Sequence, residues 1–340
     1  MDYGKLVKAH WDSVAKPLDG LGTLEHLIIK IGALTKTEDV SIDRRIVCVM
    51  CADNGVVKEG VTQTDASVTA IQAGNIALHK TSVCRMAAVA HADVVPVDMG
   101  MLVHVPGVEG PHLKDGTANL AEGPAMSRED CLAAIEYGRS LAKKYKEEGY
   151  DIIITGEMGI GNTTTSSAVA SVLLDMSVES VTGRGAGLSD EGLVRKVNAI
   201  NRAIAVNKPD KNDPVDVLSK LGGFDIAGMA GLFLGGYEAR IPVVIDGLIS
   251  SIAALIAARL EPESRKAMIP SHSSAEPAAE AILNEIGEPA ILYAKMKLGE
   301  GTGAVCMLPL LDMALSVYQS GVAFNDTGLK PYTVQEGDKR

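Results

Sequence analysis

Five short apolar runs in this chain each end in a turn that carries an acid, a glycine or a polar cluster. They are residues 46–51 before Asp53-Asn54-Gly55, 93–97 before Asp98-Met99-Gly100, and 152–154 before Gly156-Glu157. Residues 241–245 before Asp246-Gly247 and 267–269 before Pro270-Ser271-His272 continue the series. Runs this short and this rich in Val and Ile read as buried strands. Between them lie Ala-rich stretches of helical spacing, at 66–79, 128–148 and 250–260. Alternating strand and helix predicts an α/β fold, a Rossmann-like open parallel sheet flanked by helices, over residues 41–281. In such sheets ligands gather at the carboxyl ends of the strands, which is where the acidic turns fall. Segments 1–40 and 282–340 lack the strand rhythm and read as mainly helical. They predict a small helical domain built from both ends of the chain, its second part carrying a Gly-Glu-Gly turn.

Composition narrows the function. With 340 residues, 46% of them hydrophobic, the chain can bury a sizeable core. A net charge of −11 and aromatics at 4% exclude a nucleic-acid or anionic-membrane surface, which needs concentrated Lys and Arg. Five cysteines, an odd number spread thinly, fit a reducing, cytoplasmic compartment rather than a disulfide framework. Cys48 and Cys51 are spaced C-x-x-C but lie inside a strand run, so they read as core residues rather than a metal or redox pair. The chain starts polar, without a secretory signal, and the apolar window 241–260 is broken by Asp246 and Arg259. No metal-binding histidine pair occurs, and neither metal nor cofactor is expected. His272 follows a strand, and a lone histidine is structural more often than functional.

The most informative loop is Gly156-Glu157-Met158-Gly159-Ile160-Gly161-Asn162-Thr163-Thr164. Its spacing outlines a phosphate-binding loop, with Asn162 where the gripping lysine would stand. Glycines between strand and helix let backbone N–H groups approach an anion. Without the lysine, a single phosphate fits better than a triphosphate. Glu157 puts a carboxylate in the same turn, where it would repel an anion, so it serves another purpose. Leu298-Gly299-Glu300-Gly301 is a second Gly-Glu turn ahead of an apolar helix. Together the two turns fit carboxylates held between backbone donors over a phosphoribosyl group. Gly183-Arg184-Gly185-Ala186-Gly187 precedes Lys196, and the glycines of 222–231 fall at helical spacings that suit close helix packing. None of these runs is a dinucleotide fingerprint, which excludes a nicotinamide dehydrogenase.

Taken together, these segments resemble the nicotinate-nucleotide:dimethylbenzimidazole phosphoribosyltransferases, which activate the lower-ligand base of cobamides. The matches include Lys16-Pro17, Cys51-Ala52-Asp53-Asn54-Gly55-Val56, Thr69-Ala70-Ile71-Gln72-Ala73 and Gly123-Pro124-Ala125-Met126-Ser127. The loop 156–164, Gly222-Gly223-Phe224-Asp225, Ser271-His272, Ser274-Ala275-Glu276 and 298–303 complete them, nearly end to end. The resemblance implies transfer of 5-phosphoribosyl from nicotinate mononucleotide to an aromatic base, inversion to the α-riboside and release of nicotinate. It also implies a dimer, with Glu300 as general base and Glu157 as a second site carboxylate. Gly159, Gly161, Asn162, Thr163, Lys196, Ser274, Gly299 and Gly301 would hold the nucleotide. Thr64, Gln72, Met158, Ile160 and Leu298 would line the acceptor pocket.

The chain departs from the family pattern around the acceptor. Asn54 replaces a common His, Thr64 a frequent Ser, Leu248 a frequent Phe, and Leu18-Asp19-Gly20 a proline-glycine-serine. Dimethylbenzimidazole is the first expected acceptor; phenol, p-cresol or adenine, in a heterodimer with a homologous subunit, is the alternative. A non-catalytic dimer partner and a lysine-less binder of ATP or GTP are readings of other classes. The presence of both Glu157 and Glu300 argues against the non-catalytic partner.

Overall fold

The computed structural model describes residues 1–335; residues 336–340, the end of the segment expected to be helical, lie outside the described residues. The chain opens with α1 (Tyr3–Ser13) and α2 (Thr23–Thr35), then β1 (Arg45–Ala52), α3 (Ser67–Ala77), α4 (Ser82–Val89) and β2 (Ala92–Gly100). Next come α5 (Arg128–Glu147), β3 (Ile152–Met158), α6 (Asn162–Leu174), α7 (Val178–Val181), α8 (Asp190–Asn207) and α9 (Pro214–Leu221). The chain continues through α10 (Phe224–Ala239), β4 (Val243–Val244), α11 (Leu248–Leu260), β5 (Met268–Ile269) and α12 (Ala279–Ile286). It closes with α13 (Thr302–Val305), α14 (Leu308–Ser320) and α15 (Phe324–Thr327).

All five apolar runs form strands, and they make one parallel sheet in the order β2-β1-β3-β4-β5. Every residue of β1 is buried, as expected of a strand covered on both faces. Cys48 and Cys51 are free thiols in that strand, and burial pushes Cys48 up to about 12, far from a reactive thiolate. The register sets Val49 beside Gly156 and Met50 beside Glu157, so the glycine loop leaves the sheet at the end of its central strand, β3, alongside β1.

The glycine run 222–231 serves helix packing. α10 crosses α5 so closely that a Cβ on Gly231 would strike the Ile135 carbonyl and one on Gly138 the Gly228 carbonyl. Removing both side chains lets the two backbones touch and brings α10 down onto the sheet.

The chain forms two compact units. One joins residues 1–42 to the chain from Leu308 onward. There Trp11 is fully buried, with its ring centroid 5.1 Å from that of Tyr318. The Tyr318 hydroxyl donates to Glu38 O at 2.8 Å, and Gln319 Nε2 donates to Val40 O at 2.8 Å. Lys16 pairs with the buried Glu25 at 2.7 Å. The other unit is residues 43–307. Its limit corrects the expected boundary at 282. Ile282, Leu283 and Ile286 of α12 join the same core cluster as α11, and the 299–301 turn lies on β3 rather than in the helical unit.

Candidate active site

The two Gly-Glu turns meet backbone to backbone. At Gly156 a Cβ would sit 2.5 Å from Glu300 O, and one on Gly301 would sit 3.0 Å from Thr155 O. Glycine at both positions lets the second turn lie flat on the end of β3. Asp246, at the end of β4, pins it from the other side, accepting the Gly301 N–H at 3.2 Å and the Ala304 N–H at 2.9 Å. Burial raises Asp246, and the neighbouring His272, 3.9 Å away through Nδ1, opposes that rise.

Glu157 is the chemical centre of this junction. Its carboxyl accepts hydrogen bonds from the Asn162 side chain and from the Glu300 backbone N–H. Burial pushes it up to about 8, with the charges of Asp225 and Asp246 adding to the rise and the Asn162 hydrogen bond opposing it. Asn162 Nδ2 also donates to Asp225 Oδ2 at 2.9 Å, and burial raises Asp225 to about 6.

A pocket of about 170 Å³ opens over this junction, at the carboxyl ends of β3, β4 and β5. Residues 157–163 form its floor, and Thr64, Ser274, Leu298 and Gly299 stand in its walls. Four expected residues do not border it. Lys196 is fully buried behind Thr163, donating to Thr163 Oγ1 at 2.9 Å and to Gly183 O at 3.1 Å. A lysine ammonium from α8 thus reaches the first turn of α6. Burial lowers it to about 8, against the pull of Glu276.

Glu300 is buried with φ at +61°, and its carboxylate turns to the first turn of α4, accepting the Val83 N–H at 3.1 Å. Gly301, on the underside of that turn, packs against the end of β3. Gln72 is bonded to Asn75 within α3, while Thr69, one turn earlier, accepts the Ile160 N–H at 3.1 Å and so holds the loop.

Several wall residues had only a weak sequence signal or none. Arg184 to Leu188, from the third glycine run, form one side, and Glu276 Oε1 accepts the Gly185 N–H at 3.1 Å. Asp246, His272, Leu248 and Ile249 form the opposite side. Of the strand-end acids expected in the cleft, Asp53 and Asp98 instead tie down the loop after β2, accepting from Leu102 and Met101 N–H at 2.8 and 2.9 Å. Asn54 reaches the loop with Nδ2 at 3.5 Å from Ile160 O. Among the described residues no group of three or more His, Cys, Asp or Glu could hold a metal ion.

A family profile described as "Phosphoribosyltransferase" matches residues 2–329. The nicotinate-nucleotide–dimethylbenzimidazole phosphoribosyltransferase of Acetivibrio thermocellus is 44% identical over 97% of this chain and 95% of its own. Its counterpart in Clostridium acetobutylicum is 43% identical over 96% and 93%. The chain belongs to the nicotinate-nucleotide:dimethylbenzimidazole phosphoribosyltransferase family. A member of that family from Thermus thermophilus, known by crystal structure, superposes with a TM-score of 0.89 at 34% identity, covering 97% of this chain and 99% of that one. The chain is therefore an enzyme of the glycosyltransferase type, and its five-stranded parallel sheet is the family's fold.

Proposed function

We propose that this enzyme moves 5-phosphoribosyl from nicotinate mononucleotide onto an aromatic lower-ligand base, 5,6-dimethylbenzimidazole first, for cobamide biosynthesis. The observation that carries this reading is the pocket itself. A glycine loop braced by Lys196 through Thr163 and Gly183 forms one end, and two glutamate turns joined by the Glu157–Glu300 hydrogen bond form the other. The phosphate would lie over Gly159–Thr163, with Lys196, Ser274, Gly299 and Gly301 holding or backing the nucleotide. Apolar Met158, Ile160, Leu248 and Leu298, with Thr64 at the rim and Gln72 behind it, would receive the base.

Bonded to C1′ the nicotinate ring is a pyridinium, and it leaves with the bonding pair as a neutral pyridine ring, so acid assistance is minor. As the acceptor nitrogen attacks C1′ from the face opposite nicotinate, the C1′–N bond to nicotinate breaks and the configuration inverts. The acceptor's proton then passes to a carboxylate. In this reading Glu300 takes it, which requires its carboxylate to leave Val83 N–H for the pocket. Negative charge nearby also favours the oxocarbenium-like ribose. A dimer in a cytoplasmic setting completes the proposal; the five cysteines are all free. Among the described residues one stretch, Thr302–Ser320, is long and apolar enough to cross a bilayer, and over half of it is buried, as in a core helix.

Incubation with nicotinate mononucleotide and dimethylbenzimidazole, adenine, phenol or p-cresol, read by mass spectrometry, tests the reading. An α-ribosylated product with dimethylbenzimidazole is expected; no ribosylated product with any acceptor sinks it. Lys196→Met should weaken nicotinate mononucleotide binding tenfold or more, because hydrogen bonds from charged groups are worth about 1.5–3 kcal/mol. Calorimetric titration checks this, and unchanged affinity would remove Lys196 from the nucleotide site.

A further inference from the structure

A carboxyl group inside an anion-binding turn opposes its own ligand unless something keeps it uncharged. Glu157 occupies that position on the pocket floor. The Asn162 amide nitrogen donates to Glu157 and, at 2.9 Å, to Asp225 Oδ2, so a single NH₂ ties two buried carboxyl groups together. Both of its hydrogens are used, leaving none for a phosphate. Asn162 is itself fixed, its backbone N–H donating to Gly159 O at 3.0 Å. Asp225 is fully buried at the start of α10 and accepts the Ile226 N–H at 3.0 Å.

The groups that face Glu157 are mostly acidic. They are Asp225 from α10, Asp246 after β4 with His272 beside it, and Cys51 from β1. Lys196 is turned toward Thr163 and Gly183. Two carboxyl groups sharing one donor away from water cannot both ionise cheaply. Burial, with the charges of Asp225 and Asp246 behind it, puts Glu157 at about 8, and burial, with the charge of Asp53, puts Asp225 at about 6, so near neutrality the proton resides on Glu157 and the charge on Asp225.

We propose that burial and the Asp225 charge, acting against the Asn162 hydrogen bond, keep Glu157 neutral while an anionic nucleotide enters, with Asp225 as the positioning residue that fixes Asn162 and supplies the like charge. The neutral carboxyl offers the nucleotide an O–H donor in place of a repelling charge. This rests on the nucleotide reading above.

Removing the charge at Asp225 lowers the value of Glu157, so Glu157 ionises earlier as pH rises and the anion binds less well. Nicotinate mononucleotide affinity is measured by calorimetry between pH 6 and pH 8.5. Asp225→Asn should match wild type at pH 6 and bind about threefold more weakly at pH 7.5, the change expected from lowering the Glu157 value by about one unit. In a Glu157→Gln background, Asp225→Asn should change nothing at any pH. A loss equal at pH 6 and pH 7.5, or one that persists in Glu157→Gln, overturns the proposal.

If Asp225→Asn does not fold, proton uptake on binding at pH 8, from buffers of different ionisation heat, decides the matter. Wild type should take up more than Glu157→Gln, the Lys196 share being common to both, and equal uptake overturns the proposal. Failure of wild type to bind the nucleotide at pH 6 overturns the nucleotide reading and this inference with it.

Discussion

Glu300→Gln keeps the affinity for nicotinate mononucleotide while kcat falls by a hundredfold or more. General-base catalysis is worth about 10²–10⁴ in rate, and glutamine has the same shape without the ability to take a proton. The backbone of residue 300, which donates to Glu157, is untouched, so the floor of the pocket should survive. The Val83 N–H can still be met by the amide oxygen, which protects the fold. An acceptor whose proton is already lost at the assay pH should recover part of the rate, because the missing step is then unnecessary. The measurement is steady-state turnover beside calorimetric nucleotide affinity, with Glu157→Gln in parallel. Near wild-type turnover in Glu300→Gln together with collapse in Glu157→Gln would transfer the base to the glutamate that already faces the pocket.

Gly231→Ala destabilises the enzyme, where the same change on an exposed helix would stabilise it. Alanine is favoured over glycine in a helix by about 1 kcal/mol. At Gly231 the new methyl would meet the Ile135 carbonyl and come within 2.8 Å of Gly138 Cα and 2.9 Å of Arg139 N, all backbone of α5. Backbone cannot rotate away as a side chain does, so α10 and α5 must separate. Overpacking of this kind costs about 1–3 kcal/mol and occasionally more, and Gly231→Val should exceed it. Urea unfolding, with the slope of the transition unchanged, reads the sign directly. A gain in stability would show that the helices do not cross at this point.

The strands were legible because burial on both faces leaves β1 and β3 as apolar runs, with little choice of residue. The helices 128–148 and 250–260 were legible within two residues, since Ser127 caps α5 and a glycine precedes α11. The loop 156–164 was legible as a candidate anion-binding turn because glycine before a helix leaves backbone donors free, and in the structure it lines the pocket. The roles within it were harder to see. Asn162 stands where a phosphate ligand would, yet its amide is spent between two carboxyl groups. Nothing local signals this, because Asp225 lies 63 residues away in the chain. Asp53 and Asp98 look like cleft acids by position but satisfy loop backbone instead. A strand-end acid has the same sequence signature in both cases.

By itself, the sequence determined the layered fold, the strands that carry the site, and the two glutamates set between glycines. These follow from burial and from backbone geometry, which act residue by residue. Only the tertiary structure decided which carboxyl is desolvated, that the brace lysine comes from α8, and that Glu300 turns toward Val83 while Glu157 faces the pocket. Such choices depend on distances between elements remote in sequence, and protonation follows the field of all of them together.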